Sequence, residues 1–178
     1  MSEEPEEKEK VFRISKETDP SFKYELSKIP GAENLTACFQ CGTCTADCPV
    51  ARFSNSYRPL QILRMAVLGM KHRVLSSSDL WLCAACYTCT DRCPRDVEFA
   101  SVLRALRNIA VREGYTPAVF KGMGSNIVET GSVYKMPESR LRKRETAGLP
   151  PLPKSDPQRL ARLAKAVGFS KIIEKDGR

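Results

Sequence analysis

The reactive side chains of this sequence are concentrated in two short cysteine-rich runs. Cys38–Pro49 reads CFQCGTCTADCP and Cys83–Pro94 reads CAACYTCTDRCP. The runs align without a gap at an offset of 45 residues, and all eight cysteines of the chain lie inside them. The alignment also matches two threonine pairs, Thr43 with Thr88 and Thr45 with Thr90. One thiol-rich motif is therefore used twice, and no cysteine is left for another role.

Each run has the spacing C-x2-C-x2-C-x3-C-P. In bacterial ferredoxins this spacing lets three cysteines bind one [4Fe-4S] cluster, while the fourth binds the other cluster of a pair. Three thiolates at three-residue intervals can surround one cubane. The fourth cysteine comes after a longer, three-residue gap and is followed by proline, so its thiol points away from that cubane. We therefore predict two [4Fe-4S] clusters with exchanged ligands and no catalytic residue. The first ligand set is Cys38, Cys41, Cys44 and Cys93; the second is Cys48, Cys83, Cys86 and Cys89.

Other uses of cysteine fit the spacing less well. Structural zinc commonly takes two C-x2-C pairs separated by a longer gap, so four thiols in one short run exceed its needs. A redox-active C-x-x-C pair does not require eight thiols. Disulfides are disfavoured because a chain of 178 residues can bury a core without them. A zinc-binding nucleic-acid module is the rival of a different class.

The charge distribution gives limited support to a nucleic-acid-binding module. The formal net charge is +8, although the first ten residues hold five glutamates. The densest basic run, residues 140–144 (RLRKR), has no aromatic side chains for base stacking. We interpret it as a solvated or partner-facing surface and expect no nucleic-acid partner.

The N-terminus, MSEEPEEKEK, lacks the apolar segment of a secretory signal. No apolar run approaches the roughly 18 residues of a membrane span. These features predict a cytoplasmic protein, in a compartment where clustered thiols more often hold metal than form disulfides.

Helical patterns surround the motifs. Residues 59–70 (PLQILRMAVLGM) have a wide apolar stripe, and Ser76 to Asp79 offer caps for a short helix leading to Trp81. A further helix is predicted from Phe99 to Gly114 with Asp96 as its cap, and a last one at 157–167 with Asp156 as cap and Gly168 at its end. Only residues 10–15 (KVFRIS) weakly suggest a strand.

The predicted fold is mainly α: an alpha-helical ferredoxin domain with two [4Fe-4S] clusters. We predict a charged N-terminal tail at 1–30, the cluster domain at 31–125 and a helical, partner-docking C-terminal extension at 126–178, with an extended linker at 148–157 (GLPPLPKSDP). His72 is interpreted as an ordinary surface residue. Trp81 and Tyr87 are expected to shield a cluster, and Tyr87 takes the position that Gly42 has in the first motif.

Three stretches carry a family resemblance: ACFQCGTCTADCPVA (37–51), WLCAACYTCTDRCPRDV (81–97) and FASVLRALRNIAVREG (99–114). They closely resemble the C subunit of heterodisulfide reductase from methane-forming archaea, over roughly residues 30–135. The domain also resembles the cluster domain of succinate dehydrogenase and fumarate reductase iron-sulfur subunits, but those add a plant-type [2Fe-2S] domain that is missing here.

The resemblance implies a relay role in methanogenesis. The chain would pass electrons through two [4Fe-4S] clusters from the flavin-containing A subunit of heterodisulfide reductase to the B subunit, which reduces the heterodisulfide of coenzyme M and coenzyme B. FAD and the non-cubane clusters are expected on partners only, because the chain has no Cys-Cys pair and no Gly-rich dinucleotide motif. A larger complex with a hydrogenase or formate dehydrogenase is also implied. The alternatives are a relay subunit of another oxidoreductase and a free ferredoxin-like carrier.

Overall fold

A computed structural model of the chain describes residues 14–153 and 155–175, except for the side chains of Ser15 and Lys16. Every regular element in this part of the chain is a helix, which confirms the predicted fold class. Two are short 3-10 helices, Glu33–Ala37 and Ser78–Trp81. The α-helices are α1 (Ile14–Glu17), α2 (Phe22–Ser27), α3 (Thr43–Ala46), α4 (Pro49–Phe53), α5 (Pro59–Val67), α6 (Lys71–Leu75), α7 (Thr88–Asp91), α8 (Phe99–Glu113), α9 (Ala118–Thr130), α10 (Glu138–Thr146), α11 (Pro157–Ala166) and α12 (Phe169–Glu174).

The chain divides into two compact units, Met1–Ile109 and Ala110–Arg178. Both cysteine motifs belong to the first unit. The predicted tail at 1–30, cluster domain at 31–125 and extension at 126–178 have different boundaries from these units and stay predictions.

Helix α5 supplies one wall of the core of the first unit. Pro59 begins it, since proline fixes the backbone angle of a first helical turn and needs no hydrogen-bond acceptor there. Ile62, Leu63 and Ala66 are buried on one face, as the apolar pattern predicts. The helix ends at Val67, before the predicted limit, and Gly69 turns the chain in a left-handed conformation with φ of 75°. Helices α2, α3 and α6 pack against α5.

Helix α8 adds Val102, Leu103 and Leu106 to the buried core. It ends before Gly114, whose φ is 94°, as predicted. The predicted cap is wrong, however. Asp96 lies three residues before the helix with φ of 50°, and it is the Glu98 carbonyl that accepts from the amides of Ser101 and Val102. An additional turn of loop after the second motif separates Asp96 from the helix.

The second unit packs α9, α11 and α12 against one another. Gly124 lets α9 approach α12, since a Cβ there would lie 3.1 Å from the Ile173 side chain. The predicted Asp156 cap is confirmed, because its carboxylate accepts from the backbone amide of Arg159 at 3.0 Å. Gly168, with φ of 75°, follows the C-cap Val167 and ends α11 as predicted; it also precedes α12, which was not predicted.

The remaining segments differ in outcome. The basic run at 140–144 lies on α10, and residues 149–153 are non-helical as predicted for the linker. The suggested strand at 10–15 is wrong at Ile14 and Ser15, which belong to α1, and its other residues lie outside the described part of the chain. His72 is exposed, as expected. In the described ranges no helix combines the length and apolar character that crossing a membrane requires.

Candidate metal centres

The two motifs fold into nearly equivalent loops, each followed by one turn of helix. Cys38 follows the 3-10 helix Glu33–Ala37, and Cys44 lies inside α3. In the second copy Cys83 follows the 3-10 helix Ser78–Trp81, and Cys89 lies inside α7. Helices α3 and α7 pack against each other. The two motifs therefore come together at their third cysteines and at the residues just before their fourth cysteines.

The backbone repeats at the same offset as the sequence. The residue before each second cysteine is left-handed, Gln40 with φ of 63° and Ala85 with φ of 51°. The residue after it is left-handed too, Gly42 with φ of 85° and Tyr87 with φ of 61°. Three of these four are not glycine, and such residues rarely adopt this conformation. The loops therefore hold strained backbone where they wrap the thiols, as functional sites often do.

The first motif borders a small cavity that is partly open to solvent. The cysteines on its wall are Cys38, Cys41, Cys44 and Cys93. Cys93 thus reaches it from the second motif, with Pro94 beside it. The rest of the wall is mainly hydrocarbon, from Leu60, Leu63, Val97 and Phe99.

The second motif borders a similar small cavity. The cysteines on its wall are Cys48, Cys83, Cys86 and Cys89. Here Cys48 crosses from the first motif, immediately before Pro49 begins α4. Tyr57, Pro59, Tyr87 and Phe99 also line the wall. Each cavity therefore gathers three cysteines from one copy and the fourth from the other, which are the two sets named from the spacing.

The donor chemistry of both cavities fits an iron-sulfur cubane. Four thiols face one space in each case, and thiolates are the ligands that hold Fe-S clusters. In the described residues, no three or more metal-binding side chains form a site for one ion.

Hydrogen bonds to sulfur are matched between the two cavities. The hydroxyl of Thr43 lies 3.4 Å from Cys41 Sγ, and that of Thr88 lies 3.5 Å from Cys86 Sγ. One backbone amide also donates to sulfur in each set, Val97 to Cys93 at 3.3 Å and Ala85 to Cys83 at 3.3 Å.

The exposure and the pKa shifts of the cysteines also repeat between the two motifs. Cys41 and Cys86 are exposed, whereas the other cysteines are half-buried. Hydrogen bonding from Thr43 lowers the pKa of Cys41, and that from Thr88 lowers the pKa of Cys86. Burial raises the pKa of Cys44 to about 11 and raises that of Cys89 as well. The second cysteine of each motif is thus the thiol most open to solvent.

Two residues of these walls were not singled out by the sequence analysis. Phe99, the first residue of α8, is 2% exposed and lines both cavities. Tyr57 is 1% exposed, and its hydroxyl has no hydrogen-bond partner among the described residues. A buried hydroxyl without a partner costs about 1–3 kcal/mol. Apolar spacing identified Phe99 only as core, and no local pattern distinguished Tyr57.

The expected shielding residues differ in position. Tyr87 lines the second cavity, although it is 47% exposed. Trp81 lines neither cavity and packs under the guanidinium of Arg107, 5.7 Å from the ring centre. Arg107 is half-buried and donates to the carbonyls of Leu80 and Cys83 at 2.6 and 3.3 Å. It therefore ties α8 to the start of the second motif.

A family model described as a 4Fe-4S dicluster domain matches residues 34–97. This range contains both motifs and all eight cysteines. The domain and its thiols identify an iron-sulfur protein with an alpha-helical ferredoxin fold.

Relatives match most of the chain. The C subunit of the H(2):CoB-CoM heterodisulfide,ferredoxin reductase of Methanothermobacter marburgensis is 36% identical over 155 residues, covering 84% of this chain and 83% of the relative. The iron-sulfur C subunit of the CoB–CoM heterodisulfide reductase of Methanopyrus kandleri is 33% identical, with 96% and 95% covered. In Methanosarcina acetivorans, the C subunit of the ferredoxin/F(420)H(2)-dependent CoB-CoM heterodisulfide reductase is 36% identical, with 85% and 98% covered. On this similarity, the chain belongs to the family of heterodisulfide reductase C subunits, the iron-sulfur subunits of multi-subunit oxidoreductases.

Proposed function

We propose that this chain is the electron-relay subunit of a cytoplasmic heterodisulfide reductase. It carries electrons through two [4Fe-4S] clusters from the flavin-containing A subunit to the B subunit, where the heterodisulfide of coenzyme M and coenzyme B is reduced. FAD and the catalytic non-cubane clusters belong to those partners, and a hydrogenase or formate dehydrogenase supplies the electrons. The chain itself contributes no catalytic residue.

The observation that carries the proposal is the exchange of cysteines between the cavities. Cys93 lies on the wall with the first three cysteines of the first motif, and Cys48 lies on the wall with those of the second. Each cavity then has the four thiols that one cubane needs. Because the two sets share the packed turns α3 and α7, the two centres are held close together.

When bound, a [4Fe-4S] cluster supplies a one-electron carrier. The chain's own residues hold and tune it. The cysteines fix its position, and Leu60, Leu63 and Phe99 keep water from the first cavity. The hydroxyls of Thr43 and Thr88 lie beside the exposed second cysteines, where they stabilise negative charge on sulfur.

Two matched substitutions test the ligand sets. In the full chain reconstituted anaerobically, Cys93→Ser should alter the electron paramagnetic resonance (EPR) signal of the first-motif cluster and Cys48→Ser that of the second. Wild-type protein should hold about eight irons and give an interacting two-cluster signal when reduced. Damage by Cys93→Ser confined to the second-motif cluster would refute the exchange.

Purification of the native complex under anaerobic conditions tests the relay role. The A and B subunits should co-purify with this chain, with flavin present in the complex and absent from the isolated chain. Recovery of the native protein as a stable monomer without partners would contradict the relay role within a complex and favour a free carrier.

A further inference from the structure

Several sulfur contacts recur in the two cavities, but only the second cavity has a buried tyrosine on its wall. Each cysteine set has one threonine hydroxyl beside its exposed thiol and one backbone amide donating to sulfur. The second cavity has Tyr57 in addition. The non-cysteine side chains that line the first cavity include no tyrosine and are mainly hydrocarbon, chiefly Leu60 and Leu63.

The position of the Tyr57 hydroxyl is well defined. Tyr57 lines the second cavity together with Cys48, Cys83 and Cys89, and its buried hydroxyl has no hydrogen-bond partner among the described residues. A phenol ordinarily ionises near pH 10, about three units above neutral, so Tyr57 keeps its proton and remains a donor at neutral pH.

The backbone around Tyr57 holds the ring in place. Its amide donates to Ser54 Oγ at 3.1 Å. The Arg58 guanidinium donates to the carbonyls of Ala51, Ser54 and Tyr57 at 3.1, 2.6 and 2.9 Å. Pro59 then begins α5. A phenol anchored on both sides has little freedom to turn its hydroxyl towards solvent.

We propose that Tyr57 donates its O–H to a sulfur of the cluster in the second cavity and thereby raises the reduction potential of that cluster. The inference rests on the proposed function, because it requires a cluster held by Cys48, Cys83, Cys86 and Cys89. Reduction places one more negative charge on the cluster, and a hydrogen bond to sulfur stabilises the more negative state. The phenol retains its proton, so only an electron is gained. Tyr57 is a positioning and tuning residue, not a ligand.

The Arg107 guanidinium also lies near the second cysteine set, because it donates a hydrogen bond to the Cys83 carbonyl. A substitution that removes only the Tyr57 hydroxyl separates the two effects. Tyr57→Phe keeps the ring and leaves Arg107 unchanged. Tyr24→Phe is the matched control, because Tyr24 is 60% exposed and lines neither cavity.

The test is an EPR-monitored redox titration of the full chain with both clusters loaded and their signals assigned by Cys93→Ser and Cys48→Ser. Tyr57→Phe should lower the ratio of reduced to oxidised second-cavity cluster at least three-fold at the wild-type midpoint, about 28 mV for one electron. The first-cavity cluster should not shift, and Tyr24→Phe should shift neither. An unchanged second potential, or equal shifts of both clusters, would overturn the inference.

A second measurement tests the inference even if Tyr57→Phe binds its clusters poorly. Site-specific 3-fluorotyrosine at position 57 gives a more acidic phenol and a stronger donor, so the second potential should rise. No rise would overturn the inference. Wild-type protein that binds only one cluster would overturn the proposed function and this inference together, whereas two clusters with unaltered potentials would overturn this inference alone.

Discussion

Asp47 and Arg92 occupy equivalent positions of the two motifs and form an ion pair with each other, with Nε and Oδ2 3.9 Å apart. Each lies immediately before the fourth cysteine of its copy, Cys48 or Cys93. The sequence repeat has opposite charges at this one matched place, so the two copies attract where their chains cross. The pair thus lies next to both exchanged thiols.

The pair should nevertheless contribute little to stability. The side chain of Arg92 is 67% exposed and that of Asp47 is 35% exposed, and exposed pairs contribute about 0–1 kcal/mol. In a double-mutant cycle of Asp47→Asn and Arg92→Gln, we expect a coupling of about 0.2–1 kcal/mol that decreases with salt. Thermal unfolding of the cluster-loaded chain at low and high salt measures it. A coupling above about 2 kcal/mol would mean that the pair is effectively buried.

The two threonine hydroxyls give a matched pair of redox predictions. Thr43→Val and Thr88→Val keep shape but remove the hydroxyl beside Cys41 or Cys86. A net hydrogen-bond difference of about 0.5–1 kcal/mol corresponds to a fall of about 20–45 mV in the potential of the one cluster concerned. Redox titration of each variant checks this, with the other cluster as internal control. Equal falls at both clusters in either variant would contradict it.

The left-handed conformation of Ala85 predicts that its glycine and valine variants will differ in stability. Its φ of 51° costs an ordinary residue about 1–2 kcal/mol, and its amide donates to Cys83 Sγ. Ala85→Gly relieves that strain but increases the conformational entropy of the unfolded chain, so stability should change by less than about 1 kcal/mol. Ala85→Val should destabilise by more than about 1 kcal/mol, since branched side chains tolerate this conformation least.

Thermal unfolding of the two Ala85 variants with equal iron content provides the comparison. Tyr87 has a similar left-handed φ of 61° and also lines the second cavity. If Ala85→Val were as stable as Ala85→Gly, the loop would not be held in the left-handed conformation.

Local sequence patterns predicted the main helices because those patterns are strong. The apolar faces of α5 and α8 and the Asp156 cap need only neighbouring residues to be recognised. Helices α9, α10 and α12 were not predicted individually; much of their surface is exposed, and α9 contains Gly122 and Gly124, which weaken a helical pattern. Asp96 was misplaced because a loop after the fourth cysteine has no signature distinguishing it from a helix start.

The cysteine sets follow from spacing, but the rest of the cavity walls depends on tertiary structure. Tyr57 is remote in sequence from Cys83 and lies beside it only because α5 packs near both motifs. The two motifs also differ structurally at a position where their sequences are identical. Thr45 Oγ1 accepts from the Leu60 amide at 2.9 Å, whereas its equivalent, Thr90, has a buried hydroxyl without a partner among the described residues.

Phe99 provides the sharpest stability prediction because it lines both cavities and is 2% exposed. Phe99→Ala removes a core ring and should destabilise the loaded protein by about 3–5 kcal/mol, while Phe99→Leu should cost less. Phe53→Ala is the control, since Phe53 is 93% exposed and should change stability by no more than about 0.5 kcal/mol. Thermal unfolding and the rates of iron release measure the effects. Since the ring is shared, Phe99→Ala should make both clusters labile together; loss of one alone would show that Phe99 supports only that cavity.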